Sequence, residues 1–398
     1  MADARATLSW APEDRAAPRA PVDRIPVRAD PRNHVCAAAA FEPPDRSPQE
    51  ICVSDPRPQL ELLTLNGDAR AWDEFVTRAQ GSSFCHLSSW RQILSDTLGA
   101  ECLYWAAADA EGAWQGILPL VRVRSRIFGH YLVSLPFLND GGPLGSPAAR
   151  DRLVGEAVTE ARRSAADLLE LRTRDPCGLE LPVSSRKITV LLQLPSDVDA
   201  LFRSFPAKLR SQIRRPMKEG LTVRFGPEQR EAFYEVFSRA MRDLGTPVLP
   251  RAFFERIAAA FPQLAVFGVV YRGDQPLAAG CGFIWRDEFE MTWAGALRES
   301  RPLSANMLLY WAFMEQMIAR GVRVFNFGRC TPGGGTHHFK QQWGGRDVPL
   351  PWRQFSTGAV KAPPSPGDPA FSWGPRLWRR LPLSIANRLG PRLVRFIP

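Results

Sequence analysis

From residue 58 onward the apolar positions of the chain switch repeatedly between a two-residue and a 3.6-residue period, whereas residues 1–57 carry almost no periodic pattern. That first stretch is rich in Ala, Pro, Arg and Asp and can bury too little surface to offset the entropy of ordering, so it is expected to be a disordered extension. After it, "PQLELLTLN" reads as a short strand and "DARAWDEFVTRAQ" as a helix with Trp72, Phe75 and Val76 on one face. In "SSFCHLSSWRQILSDTLG", Ser88 can cap a helix whose Trp90, Ile93 and Leu94 face inward. Strands follow in "CLYWAAAD", "WQGILPLVRVRS" and "HYLVSLPF", the last leading into the glycine-rich "NDGGPLG". "AARDRLVGEAVTEARRSAADLLELR" reads as a helix and "KITVLLQL" as a further strand, which closes a mixed unit over residues 58–203 around a largely antiparallel sheet.

The same element order recurs over residues 204–357. "PEQREAFYEVFSRAMRDLG" and "RAFFERIAAAF" are helices, and three strands fill residues 264–297 with turns at "RGDQ" and "RDEF". "SANMLLYWAFMEQMIARG" is a helix and "RVFNFGR" a strand. The second unit opens on a basic segment, 206–220, in which Lys208, Arg210, Arg214, Arg215 and Lys218 crowd together. There Leu209 and Ile213 stand four apart on one helical face, and Pro216 should kink or end the helix. Residues 358–370 form a linker by composition. The tail, 371–398, sets Trp373, Trp378, Leu383, Ile385, Leu389 and Leu393 among arginines, a pattern that fits either a membrane-surface helix or one that packs back on its own domain.

Composition narrows the partners. The chain has 398 residues, 45% of them apolar, and a formal net charge of +10 carried mainly by arginine. Such a surface attracts phosphate-bearing partners. The seven cysteines are scattered and odd in number, with no CxxC pair, which argues against a zinc cage or a secreted disulfide framework and for a reducing cytoplasm. The first residues lack the apolar core of a signal peptide, and no run reaches the roughly 18 apolar residues of a spanning helix. A cytoplasmic protein is expected. The basic run has no interleaved aromatics, so sequence-specific nucleic-acid binding is not expected.

Candidate chemistry concentrates in "FNFGRCTPGGGTHHFKQQWGG", residues 325–345. Neither GxxxxGKS/T nor GxGxxG spacing is present, which argues against a nucleotide loop. His337 and His338 are adjacent and have no Cys, Asp or Glu cluster around them, so no metal is expected. Acyl transfer to an amine passes through an oxyanion, for which Lys340 and the N–H groups of the glycine loop are candidates; a solvated surface lysine is the alternative. Glu290, Asp243 and His338 are three candidate general bases. No cysteine or serine has a recognisable base partner, so a covalent enzyme intermediate is not expected. Trp285, Trp293 and Trp311 are expected in the core, and Trp343 lies either in the core or in a substrate pocket. The loop from Asn139 to Pro143 is a substrate loop or a turn.

The segments "FCHLSSWRQIL", "GILPLVRVRSRIFGHYLVSLPFLNDGGPLG", "PAKLRSQIRRPMKEGL", "RVFNFGRCTPGGGTHHFKQQWGG" and "LWRRLPLSIANRLGPRLVRFIP" together resemble the FemAB family of aminoacyltransferases, most closely its exosortase-associated (PEP-CTERM) branch. The resemblance spans about residues 58–398. It implies an α/β (α+β) fold of two tandem GNAT-like, acyl-CoA N-acyltransferase-type domains, with mixed sheets flanked by helices and a cleft between the domains. It also implies an acyl or aminoacyl transfer from an activated donor to an amine of a cell-envelope or exopolysaccharide precursor. The donor would be aminoacyl-tRNA, acyl-CoA or acyl carrier protein, with no cofactor held. Carried onto these positions, Phe339 and Lys340 would be catalytic, Lys340 stabilising an oxyanion or phosphate, and Lys208, Arg210 and Arg214 would line the cleft and hold a donor or acceptor phosphate. Beside the resemblance, His338 is a further catalytic candidate, and Arg329, Gly334, Gly335, Trp343 and Asn139 are candidates to hold substrate. The long helical hairpin that some members insert in the second domain has no counterpart between residues 262 and 300, which weakens the case for a tRNA donor. A different class of protein is the alternative: a non-catalytic assembly protein that uses a basic cleft to hold a phosphorylated carrier.

Overall fold

The segments with period-two apolar spacing pair into two mixed sheets, and the helical segments cover them. The computed structural model describes residues 60–65, 69–125, 129–174, 180–358 and 373–397. The expected N-terminal extension and nearly all of the expected linker lie outside them.

The first part of the chain supplies β1 (Glu61–Thr64), α1 (Ala69–Arg78), α2 (Ser89–Leu98), β2 (Glu101–Ala108), β3 (Trp114–Ser125), β4 (Gly129–Val133), β5 (Leu144–Gly145), α3 (Pro147–Arg163), β6 (Leu168–Leu171) and β7 (Val183–Ser184). There follow β8 (Ile188–Gln193), α4 (Val198–Ser204), α5 (Ala207–Lys218), β9 (Leu221–Phe225), α6 (Arg230–Leu244), α7 (Arg251–Ala260), β10 (Ala265–Arg272), β11 (Gln275–Trp285) and β12 (Glu288–Ala296). The chain continues through α8 (Ala305–Ala319), β13 (Val324–Cys330), α9 (Gly335–Gln341), β14 (Arg346–Pro349), β15 (Trp352–Phe355), α10 (Trp373–Trp378) and α11 (Leu383–Val394).

The sheets exchange strands. The first runs β1-β2-β3-β4-β6-β15-β7 with β5 on β3, and the second β14-β8-β13-β12-β11-β10-β9. A division between residues 203 and 204 therefore leaves β8 in one half of the chain and its partners β13 and β14 in the other. Conversely, β15 leaves the second half to pair with β6 and β7. The halves also share a core, in which Phe84 stacks on Phe283 with ring centroids 4.3 Å apart and Trp90 meets Phe261 at 5.1 Å. Burial of such aromatic area is a main favourable term in folding.

Two local differences from the sequence reading have simple causes. The helix expected through "SAADLLELR" ends at Arg163; Ala165 turns at φ 51°, and Leu168–Leu171 are a strand buried on both faces. A continuous apolar run of that length suits a doubly covered strand as well as a buried helix. The glycine loop is shorter than expected: its last residue, Gly335, already opens a short helix, α9, with Gly334 as its N-cap. In α5, Pro216 sits in the last turn, where the helix stops two residues later at Lys218.

Candidate functional site

Each sheet contains one parallel pair that is short and then parts. β4 and β6 pair from Tyr131 with Leu168 to Val133 with Glu170, and β12 and β13 pair from Glu288 with Val324 to Glu290 with Asn326. Backbone shape ends both. Leu135 and Phe137 turn at φ 64° and 70° after β4, and β13 bulges between Asn326 and Arg329 with Gly328 at φ 71°. A side chain at Gly328 would bring its Cβ to 2.6 Å from the Met291 carbonyl oxygen, so glycine is required there on both counts.

Glu290, at the last position where β12 pairs with β13, is 4% exposed. Asn139 Nδ2 reaches across from the first half and donates to its Oε1 at 2.7 Å. Asn326 Nδ2 donates to Oε2 at 3.2 Å and to Glu288 Oε1 at 2.8 Å, while Asn326 Oδ1 accepts from Gly328 N at 2.8 Å and from the Thr189 hydroxyl. Burial pushes the Glu290 carboxyl up to about 7; the positive Arg174 and the Asn139 amide pull the other way, and Glu288 and Asp140 add to the rise. The result is a carboxyl poised to exchange a proton near neutrality.

Glu290 faces a cavity of about 120 Å³ walled also by Ser82–Phe84, Arg174, Phe283 and Trp285. A neighbouring cavity of about 310 Å³ shares Ser82, Arg174 and Glu288 and continues along Asp140 and Gly142–Gly145. Arg174 bonds Glu288 at 2.9 Å; burial opposes its charge, but Glu288, Asp140 and Glu290 outweigh that and raise its pKa. His86 shapes the same space. Its Nδ1 accepts from Ser83 N at 3.1 Å and its Nε2 bonds the Gly142 carbonyl at 3.1 Å, which requires the proton on Nε2. Burial lowers the His86 pKa and keeps the ring neutral. Ser83 Oγ also stands 3.1 Å from Nδ1, so a serine does have an imidazole neighbour, contrary to the sequence reading. That contact belongs to a capping box on the turn Phe84–His86, and Nδ1 is already engaged by the Ser83 N–H. Cys85 next to it is buried, and burial with Glu290 and Asp140 nearby pushes its thiol far up, which keeps it protonated.

Lys340 is not a surface lysine. It is 3% exposed, and Nζ donates to the carbonyls of Gly328 at 2.6 Å and Arg329 at 2.9 Å, tying α9 to the bulged end of β13. Burial lowers its pKa to about 8. Two of its three N–H groups are thus engaged by the scaffold, and its visible effect is to hold the strand end behind Glu290 and Asn326. Arg329 has no carboxylate partner among the described residues and lies over the Trp352 ring at 5.4 Å; burial and the nearby Arg172 lower its pKa to about 10. Beside it, Lys187 donates to Thr331 Oγ1 at 2.8 Å, and burial and Arg329 depress its pKa.

Other expected site residues are elsewhere. His338 is exposed on α9, whereas its neighbour His337 is buried, accepts from Gly333 N at 3.0 Å and bonds Asp347 at 2.8 Å. Phe339 and Trp343 pack around Tyr310, with Trp343 1% exposed in the second-sheet core. Gly334 caps α9 and Gly335 opens it. Lys208 and Arg214 point outward from α5, Arg214 over the Phe202 ring at 4.7 Å, and Arg210 donates to the Arg203 and Phe205 carbonyls of its own segment. None of these three lines either cavity beside Glu290. Asp243 of α6 pairs with its neighbour Arg242 and with Arg298, which follows β12. Trp293 and Trp311 are core residues, while Trp285 is half-buried and walls the smaller cavity. Among the described residues, no group of three or more His, Cys, Asp or Glu could hold a metal ion.

Residues 203–341 match the family model of the acetyltransferase (GNAT) domain. No curated protein sequence matches the chain. Among solved structures the fold is similar to that of FemX, at 14% identity and a TM-score of 0.56 over 74% of this chain and 97% of FemX. It is also similar to the C-terminal domain of a putative lysylphosphatidylglycerol synthetase from Agrobacterium fabrum, at 14% identity and 0.52 over 73% of this chain and 92% of that one. A conserved protein from Bacteroides thetaiotaomicron aligns at 10% identity and 0.52 over 75% of this chain and all of its own, 100%.

Proposed function

We propose, for a chain whose residues 203–341 are an acetyltransferase (GNAT) domain within a FemAB-like GNAT fold, a direct transfer of an acyl or aminoacyl group onto an amine, with Glu290 as general base. The chain is an acyltransferase by that domain; the base, donor and acceptor are the proposal. The observation that carries it is a buried carboxyl raised to about 7, set at the parting of β12 and β13, held by Asn139 from the opposite half, and open to a cavity.

An amine attacking a thioester or ester must lose a proton, and a base with a pKa near the working pH takes it most effectively. The amine nitrogen bonds to the acyl carbon, the bond to the leaving oxygen or sulfur breaks, and Glu290 receives the proton. No protein nucleophile is required, and the protonated Cys85 and the engaged Ser83–His86 pair fit that course. Arg174, which walls both cavities beside Glu290, is placed to meet an anionic group of donor or acceptor, whereas Arg329, without a carboxylate partner among the described residues, lines neither. The acceptor class proposed is an amine of a cell-envelope or exopolysaccharide precursor in the cytoplasm, in an exosortase-linked setting, and the donor class is aminoacyl-tRNA, acyl-CoA or acyl carrier protein. The alternative of a non-catalytic carrier-binding protein relied on a basic cleft, and Lys208, Arg210 and Arg214 lie outside the cavities.

The test is product formation, read by mass spectrometry, with each donor class and a panel of amino-bearing envelope precursors. Turnover that Glu290→Gln abolishes in a folded protein supports the reading. Turnover unchanged by that substitution removes Glu290 as the base.

A further inference from the structure

The last two helices pack against α6 and still leave apolar side chains outside. On α11, Ala386, Gly390 and Val394 recur every fourth residue and are buried. Gly390 lies so close to Val248 that a Cβ there would stand 3.0 Å from its backbone N and O. Trp378 of α10 is buried as well, Arg242 donates to the Leu381 carbonyl at 3.1 Å, and Asn387 donates to Ser238 Oγ at 3.4 Å. The tail is thus a fixed part of the protein surface, as one of its two sequence readings expected.

A second stripe runs beside the buried one. Ile385, Leu389 and Leu393, again four apart, are 44%, 37% and 37% exposed. Arg388 and Arg392 follow three residues after Ile385 and Leu389 and border the stripe on the side away from the protein. Leu377 of α10, 57% exposed, stands between the exposed Arg376 and Arg380, and Leu244 at the end of α6, 59% exposed, offers its carbonyl to Arg379 at 3.3 Å. Residues 373–397 contain no Asp or Glu, and among the described residues none of these arginines has a carboxylate partner.

Rigid backing, protruding aliphatic side chains and a border of unneutralised guanidinium groups meet the needs of one kind of partner. Aliphatic side chains can enter the acyl boundary of a bilayer while guanidinium groups meet lipid phosphates at the headgroup level. Charge complementarity selects an anionic surface. We propose that α10, α11 and the end of α6 form a docking face for an anionic lipid bilayer, on which the protein sits peripherally. This goes beyond the transfer chemistry and does not depend on it.

The full chain should sediment with vesicles of equal parts phosphatidylglycerol and phosphatidylcholine, should not do so with phosphatidylcholine alone, and should be released by high salt. Arg388→Glu with Arg392→Glu should weaken sedimentation by about tenfold or more, as should Leu389→Ser with Leu393→Ser. Unchanged melting temperatures would show that both variants fold. Absence of sedimentation, equal sedimentation with neutral vesicles, or native-like sedimentation of both folded variants overturns the proposal. Self-association lost in Leu389→Ser with Leu393→Ser, without vesicle binding, would give the face to a second copy of the chain instead. Should one variant fail to fold, the other decides.

Discussion

Asn139 and Glu290 are 151 positions apart in the chain, and the amide of one donates to the carboxyl of the other at 2.7 Å. That bond joins the loop after β4 to the last residue of β12 that pairs with β13, so each half of the chain contributes to the protonation equilibrium of one buried acid.

Replacement of Glu290 by Gln keeps the shape of the site and removes the proton acceptor. Turnover should fall by about 10²- to 10⁴-fold. In the native protein kcat/KM should rise with pH through about 7, as the carboxyl ionises, and the residual activity of the variant should lack that limb. A native profile flat from pH 5 to about 9 would speak against Glu290 as base.

The same shift predicts a stability difference. The folded pKa of Glu290 lies above its ordinary value of 4.5, so the folded state holds the proton more firmly. The corresponding stabilisation is complete below about 4.5 and is lost as pH rises through about 7, on the order of 3 kcal/mol in all. Denaturant unfolding of native protein and Glu290→Gln at several pH values should show the variant gaining relative to native as pH rises across that window.

Asn139→Ala should leave the base in place and change its titration. The amide favours the ionised carboxyl, so its loss raises the Glu290 pKa further and moves the activity limb to higher pH. A merely structural asparagine would lower activity at every pH without moving the limb.

Lys340→Met removes the ammonium that satisfies the carbonyls of Gly328 and Arg329, at a cost of about 1–3 kcal/mol in stability. The folded pKa of Lys340, about 8, lies below its ordinary 10.5, so the unfolded chain binds the proton more firmly between those values. Native stability should therefore gain from this group as pH rises from about 8 to 10.5, and the variant should lose that gain. Thermal unfolding across alkaline pH measures both effects.

Residues whose neighbours are close in sequence were the most legible. Trp90, Ile93 and Leu94 fall on one helical face by spacing alone, and the four-residue step from Leu209 to Ile213 already implied that the cations of α5 face away from the protein. Their density suggested a cleft instead, because charge attracts a functional reading. Lys340 stood out in its motif, but no local pattern says that its ammonium turns inward to two carbonyls. His337 and His338 are indistinguishable until α9 forms and puts one inside. Glu290 was one of three candidate bases, since what separates it from Asp243 is depth of burial, and its pocket is walled by residues as distant in the chain as Ser83, Phe84 and Arg174. The pairing of β15 with β6 likewise joins segments too far apart for any window of sequence to connect.

That last pairing bears on how the protein can be made. A ribosome delivers Trp352–Phe355 only after every strand of the second sheet has emerged, so the first sheet waits with an inner place empty beside β6 while the whole of the second sheet is synthesised. Until then the β6 edge is open to pairing with other nascent chains. A message truncated after residue 203 would release an unfinished sheet together with β8, a strand whose proper neighbours were never translated. A cut at the midpoint thus parts β8 from β13 and β14, and β15 from β6 and β7, so that neither half keeps a complete sheet.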